Sequence, residues 1–102
     1  MKEIPEARAS LRSLGERLRR ARLARNDTMA IFAERLGVSE QTVRAMEHGQ
    51  PTVQVGIWLD ALWVLDDLQA VEKLLESRES LIELARREGT STPRQRASRR
   101  RG

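Results

Sequence analysis

The chain has no cysteine and no tyrosine, a single histidine, and only three aromatic residues, two Trp and one Phe. Without cysteine there is no disulfide framework and no thiolate metal site. With His48 as the only imidazole, a zinc site lacks ligands, and neither metal nor cofactor is expected. One histidine, no Cys or Tyr nucleophile and no glycine-rich phosphate loop leave no catalytic constellation, so the chain does not read as an enzyme. No apolar run approaches the roughly 18 residues of a membrane span. The opening "MKEIPEARAS" lacks a secretory apolar core. These absences predict a cytoplasmic protein without membrane contact. Its 102 residues make about one domain with a modest core, so a partner subunit can matter to stability.

Charge is plentiful and uneven. Residues 1–65 carry ten basic against eight acidic side chains, residues 66–89 four against seven, and residues 90–102 five Arg and no acid. A basic front and a basic tail suit a polyanion, although solvated helix faces give the same count. All but two of the basic residues are Arg, which suits bidentate phosphate contacts; a GC-rich coding sequence gives the same bias.

Apolar spacing is helical nearly throughout, which predicts an all-α protein. Pro5 suits a first helical turn, and Leu11, Leu14 and Leu18 follow at helical intervals. Ser13 with Glu16 resembles a capping box, which would start the helix proper there. Asn26 and Asp27 end it. Thr28 or Asp27 caps "MAIFAERL", Gly37 closes it in a left-handed conformation, and Ser39 caps a third helix ending at Gly49. Pro51 blocks continuation. Helical spacing resumes near Gly56, with Trp58, Ala61, Leu62 and Leu65 on one stripe and Leu59 with Trp63 rotated away from it. "DDLQAVEKLLE" continues the pattern through Leu68, Val71, Leu74 and Leu75. Ser77 can cap a last helix closed by Gly89, and "TSTPRQRASRRRG" reads as a disordered basic tail.

Two short helices joined by Gly37–Val38–Ser39 make a tight helix–turn–helix. Val38, Val43 and Met46 point back toward Ala33 and Leu36, and the small Ala33 lets the two helices cross closely. Glu40, Gln41, Arg44 and Ala45 are left outside. Polar side chains at the start of such a helix are what a major-groove reading head requires; a merely solvated helix carries polar residues too.

The marks "LGERLRRAR", "FAERLGVS", "TVRAMEHG" and the proline that follows resemble the Cro/cI repressor-type (XRE) helix-turn-helix family over residues 13 to about 65. The resemblance implies a compact bundle of about five helices, followed here by one or two C-terminal helices, that binds double-stranded operator DNA as a dimer. Residues 1–12 would extend helix 1, 13–65 form the DNA-binding domain, 66–89 make dimer or partner contacts, and 90–102 form the flexible tail. Carried over by position, Thr28 caps the second helix and touches phosphate. Ser39, Glu40, Gln41 and Thr42 open the recognition helix. Gln41 is the best base reader, since an amide pairs bidentately with adenine, and Glu40 can accept from cytosine or merely exclude wrong sequences by repulsion. Arg44 reaches guanine or phosphate, and His48 with the Gly49 backbone approaches the phosphate chain. Arg22 and Glu47 are implied to form a partly buried ion pair that orients the reading head. Two departures stand out. Asp27 replaces a commonly apolar residue, which removes a staple contact and predicts a looser helix 1–2 junction. Met29 replaces a common phosphate-binding Gln.

The run Gly49, Pro51, Val53, Gly56, Trp63 and Asp67–Leu68 looks most like the HipB-type antitoxins. That likeness implies a repressor of its own toxin–antitoxin operon, with a HipA-like kinase toxin as partner. Other readings stay open: a phage-type or general transcriptional regulator without a toxin, or an interaction module that has lost DNA binding. Leu59 and Trp63, large and apolar on an outer face, predict a homodimer interface; the competing reading has the following acidic helix fold back over them. A dimer sets two recognition helices roughly 34 Å apart for a palindromic operator. The tail can track phosphates, meet an acidic partner, or be inert, as most charge runs are.

Overall fold

The structure, a computed structural model, describes residues 3–76, with 83 and 85–87. All regular structure among them is helical, in agreement with the all-α expectation. The chain divides into two units, Met1–Leu68 and Gln69–Gly102.

The first unit contains four α-helices: α1 Pro5–Ala24, α2 Met29–Leu36, α3 Glu40–Glu47 and α4 Val55–Val64. Helix α1 starts at Pro5, not at Ser13. A proline at the first helical position loses no hydrogen bond, because that N–H has no helical partner in any case. The Ser13 hydroxyl instead accepts from Arg17 Nη1 at 2.8 Å on the exposed side. Helices α2 and α3 start on true caps. Thr28 Oγ1 accepts from the Ile31 amide and Ser39 Oγ from the Thr42 amide, each at 3.1 Å.

All four helices stop in the same way. One residue turns left-handed, at Asn26, Gly37, Gly49 and Asp66, with φ of 61°, 71°, 72° and 62°. The next amide then reaches back across the last turn: Asp27 to the Arg22 carbonyl, Val38 to Ala33, Gln50 to Ala45, and Asp67 to Leu62. This closure satisfies carbonyls that a helix end leaves orphaned. Asn and Asp are the non-glycine residues that tolerate the conformation best.

The core is Leu18 from α1, Phe32 and Ala33 from α2, Val43 and Met46 from α3, and Trp58 and Ala61 from α4. Phe32, Val43 and Met46 are wholly buried, and each such side chain contributes about 1.5–3 kcal/mol. Helix α3 packs on both α1 and α2, and α2 also packs on α4. Helices α1 and α4 leave an apolar groove of about 140 Å³ between them, lined by Leu14, Leu18 and Ala21 on one bank and Trp58, Leu62 and Leu65 on the other, with Arg17 and Asp67 at its edges.

The helical pattern read across "DDLQAVEKLLE" does not form one continuous α-helix. Asp66 takes the left-handed conformation, and a 3-10 helix follows over Leu68–Lys73 with no buried residue. Leu75 is left-handed as well and 96% exposed. Leu68 and Val71 are only half-buried there, and helical spacing with so little burial leaves little to favour an α-helix over a tighter, poorer turn. In the second unit, Arg87 lies 3.9 Å from Glu83, one helical turn away. Most of the helix read from Ser77 to Gly89, and the basic tail 90–102, lie outside the described residues. Among the described residues no helix is long and apolar enough to cross a membrane.

Candidate nucleic-acid interface

Helix α3 is held on its inner side by apolar packing and on one flank by charge. Val43 and Met46 face the core, and the Glu47 carboxylate turns toward α1. Arg22 meets it with two parallel contacts, Nε to Oε2 at 2.6 Å and Nη2 to Oε1 at 3.2 Å. The remaining nitrogen, Nη1, donates to the Asp27 carbonyl at 2.8 Å. Both side chains of the pair are buried, so each leans on the other for its solvation. The hydrogen bond with Glu47 raises Arg22 above its ordinary value; burial pulls it down, and the fields of Glu47 and Asp27 add to the rise. A cation raised in the folded state contributes stability that is fully present below its unfolded value and lost only as pH climbs through the folded one. For an arginine that window lies far on the alkaline side, so the cationic half of the pair holds through the neutral range.

Two glycines let α1 approach so closely. A Cβ on Gly15 would stand 2.6 Å from the carbonyl oxygens of both Met46 and Glu47. A Cβ on Gly49 would stand 2.6 Å from the Arg12 Cα, and Gly49 also needs its positive φ. Gly49 is buried in this contact. The Gly49 backbone is thus packed against α1 at Arg12.

The helix 1–2 junction is a correction. Asp27 does not loosen it. Its side chain is only 6% exposed, with Oδ1 3.5 Å from Arg35 Nη2, and its carbonyl is the third anchor of Arg22. A polar tie stands where an apolar staple was missing. The other oxygen, Oδ2, is buried without a hydrogen-bond partner among the described residues. Met29, the second departure, is half-buried against the core, so its side chain serves packing.

The outer surface of α3 consists of Glu40, Gln41 and Arg44, all exposed. Among the described residues none of their side chains forms a hydrogen bond or an ion pair. Ser39 and Thr42 are more occupied, because their hydroxyls lie 3.0 Å apart in the cap. Thr28 is exposed at the start of α2, capping it. His48 is exposed at the far end of α3, about 12 Å from its start at 1.5 Å per residue, and so stands apart from the cluster around Gln41.

Gln41, Thr42 and Ala45 open onto a groove of about 370 Å³, whose other bank is Thr52, Val53, Gln54 and Ile57. Ala45 is thus half-buried on this flank. Thr52 and Gln54 are not among the residues read from the sequence. Gln54 precedes α4 without capping it by its side chain, which leaves its amide available beside that of Gln41. The only hint in sequence is Pro51, which turns the chain back along α3.

Leu59 is half-buried on α4, while Trp63 is 70% and Val55 71% exposed. No family model matches the chain, and no curated protein matches it.

Proposed function

We propose that the protein is a cytoplasmic, sequence-specific DNA-binding transcriptional repressor that works as a homodimer. The observation that carries this reading is the state of α3. Three polar side chains of different hydrogen-bonding character, Glu40, Gln41 and Arg44, stand outward without partners among the described residues. The helix bearing them is immobilised by a buried bidentate ion pair, a cap and an apolar inner face. A surface only meant to be solvated does not require so rigid a support. A reading head does, since base readout depends on placing an amide or guanidinium within hydrogen-bond distance of a base edge. Gln41 reads adenine, Arg44 guanine or phosphate, and Glu40 accepts from cytosine. Thr28, Ser39, Thr42 and His48 contribute backbone contacts, joined by Thr52 and Gln54 across the groove. Leu59 and Trp63 supply the dimer contact that sets two such helices on a palindromic operator. The likeness to HipB-type antitoxins extends the proposal to autoregulation of a toxin–antitoxin operon with a HipA-like kinase partner.

A second reading, an interaction module without DNA binding, is favoured by one feature: Met29 is spent on the core where a phosphate ligand would stand. Gel-shift titration of the full chain against its own upstream promoter at several salt concentrations separates the two. DNA binding predicts a specific complex that weakens linearly in log–log form with salt and is lost in a Gln41→Ala, Arg44→Ala double variant. Promoter binding that survives both changes would remove α3 as the reading surface, and no promoter complex at any salt would leave the interaction module. Co-purification with the product of an adjacent kinase-like gene tests the antitoxin part.

A further inference from the structure

The open groove between α1 and α4 has the makings of a socket. Its floor is apolar, from Leu18 and Trp58, and its volume of about 140 Å³ is on the scale of one large side chain. Trp63 is such a side chain, on the same helix and exposed over most of its surface. With about 100° of turn per residue, Leu62 forms the bank of the groove, Leu59 lies beyond it and Trp63 beyond that. Apolar surface is therefore continuous from the socket to the protruding indole. The rims of the socket are oppositely charged. Arg17 stands on the α1 side, with its guanidinium donating to the Ser13 hydroxyl, and Asp67 on the α4 side. Neither forms an ion pair among the described residues.

A surface that carries a knob, a socket of matching size and a pair of opposite charges is complementary to itself under a two-fold axis. We propose that a second copy of the chain covers this face: Trp63 of each copy fills the α1–α4 groove of the other, and Arg17 of each faces Asp67 of the other. This rests on the dimeric repressor reading and names where its two halves meet. It also ties the interface to α1, the helix that anchors α3 through Arg22 and Glu47. The spacing of the two reading helices is thereby set through buried contacts instead of through a flexible segment.

Charge exchange tests it. Arg17→Glu and Asp67→Arg, both at exposed positions, are prepared separately in the full chain and followed by sedimentation velocity over a range of concentrations, with helical content checked by circular dichroism. Each variant alone places like charges at both rims and is expected to self-associate at least tenfold more weakly than the parent. An equimolar mixture sets the new acid at position 17 of one chain against the new base at position 67 of the other. The native Arg17–Asp67 contact remains on the opposite side, so the mixture is expected to recover dimer. Trp63→Ala is expected to be monomeric with unchanged helicity. A parent chain that stays monomeric at high concentration, single variants that dimerise normally, or a mixture that fails to recover dimer would overturn the socket. The DNA reading fails separately. A monomer that still retards a half-site overturns only the socket, and a dimer with the expected exchange behaviour but no promoter complex supports the socket while removing the reading head.

Discussion

Helices α3 and α4 are of similar length, eight and ten residues, and each packs through one face, yet their outer faces are opposites. On α3 the exposed positions are Glu40, Gln41 and Arg44, with His48 just past its end; on α4 they are Val55, Gly56, Asp60 and Trp63. The difference extends to how each is held. Helix α3 is secured by a hydroxyl cap, a buried ion pair and two glycine-mediated contacts with α1. Helix α4 begins at Gln54 without a side-chain cap and relies on apolar burial of Trp58 and Ala61. A helix that discriminates by directional hydrogen bonds has to be fixed in angle as well as in place. A helix that offers apolar area to another surface tolerates more latitude, because the hydrophobic effect is not directional.

The contrast can be broken most severely at its polar anchor. Glu47→Ala leaves the Arg22 guanidinium buried without its counter-charge, and is expected to destabilise the fold by about 3–5 kcal/mol. Urea unfolding would register this as a large fall in midpoint, and a second change, Arg22→Met, should return much of the loss because the stranded charge disappears. Next is the α1–α3 contact. Gly15→Ala forces a methyl against two carbonyl oxygens, for an expected cost of about 1–3 kcal/mol from overpacking; thermal unfolding followed by circular dichroism checks it, and an unchanged melting temperature would contradict the close approach. Ser39→Ala removes the cap alone. A loss of about 1 kcal/mol is expected, accompanied by faster amide exchange at Thr42. The smallest effects belong to the outer faces. Gln41→Ala and Trp63→Ser should each change the stability of the isolated subunit by no more than about 0.5 kcal/mol, measured at concentrations low enough to prevent association. The two should then part company, the first weakening a promoter complex and the second weakening self-association.

Much of the scaffold of α3 is legible from residue types. Thr28 and Ser39 cap because their hydroxyls can replace a missing backbone acceptor, and Gly37 and Gly49 end helices because they tolerate positive φ. The inward placement of Val43 and Met46 on α3 follows from a period of 3.6 residues. The bidentate contact between Arg22 and Glu47, 25 positions apart, is reached through likeness to a family and lies beyond what spacing can show. Asp27 misleads, because an acid at an apolar position looks like a defect until Arg35 and Arg22 are seen beside it. Gly15, inside a helix, resembles a mere weakness in propensity; only the passage of α3 across it shows why a side chain is excluded. The 3-10 turn after Asp66 escapes the sequence pattern. A capping signal or an apolar period states what a segment can form, and what it does form depends on whether a neighbouring surface rewards it.

Local chemistry thus set the number of α-helices through Val64, their caps, and which side of each is apolar, since these depend on contacts within a few residues along the chain. Tertiary structure alone decided that Asp27 would be buried, that Gly15 and Gly49 would be crossing points, that Thr52 and Gln54 would stand opposite Gln41, and that α1 and α4 would part to leave a groove beside Trp63. Those outcomes depend on distances between segments far apart in sequence, which are settled only when all the apolar faces compete for the same small core.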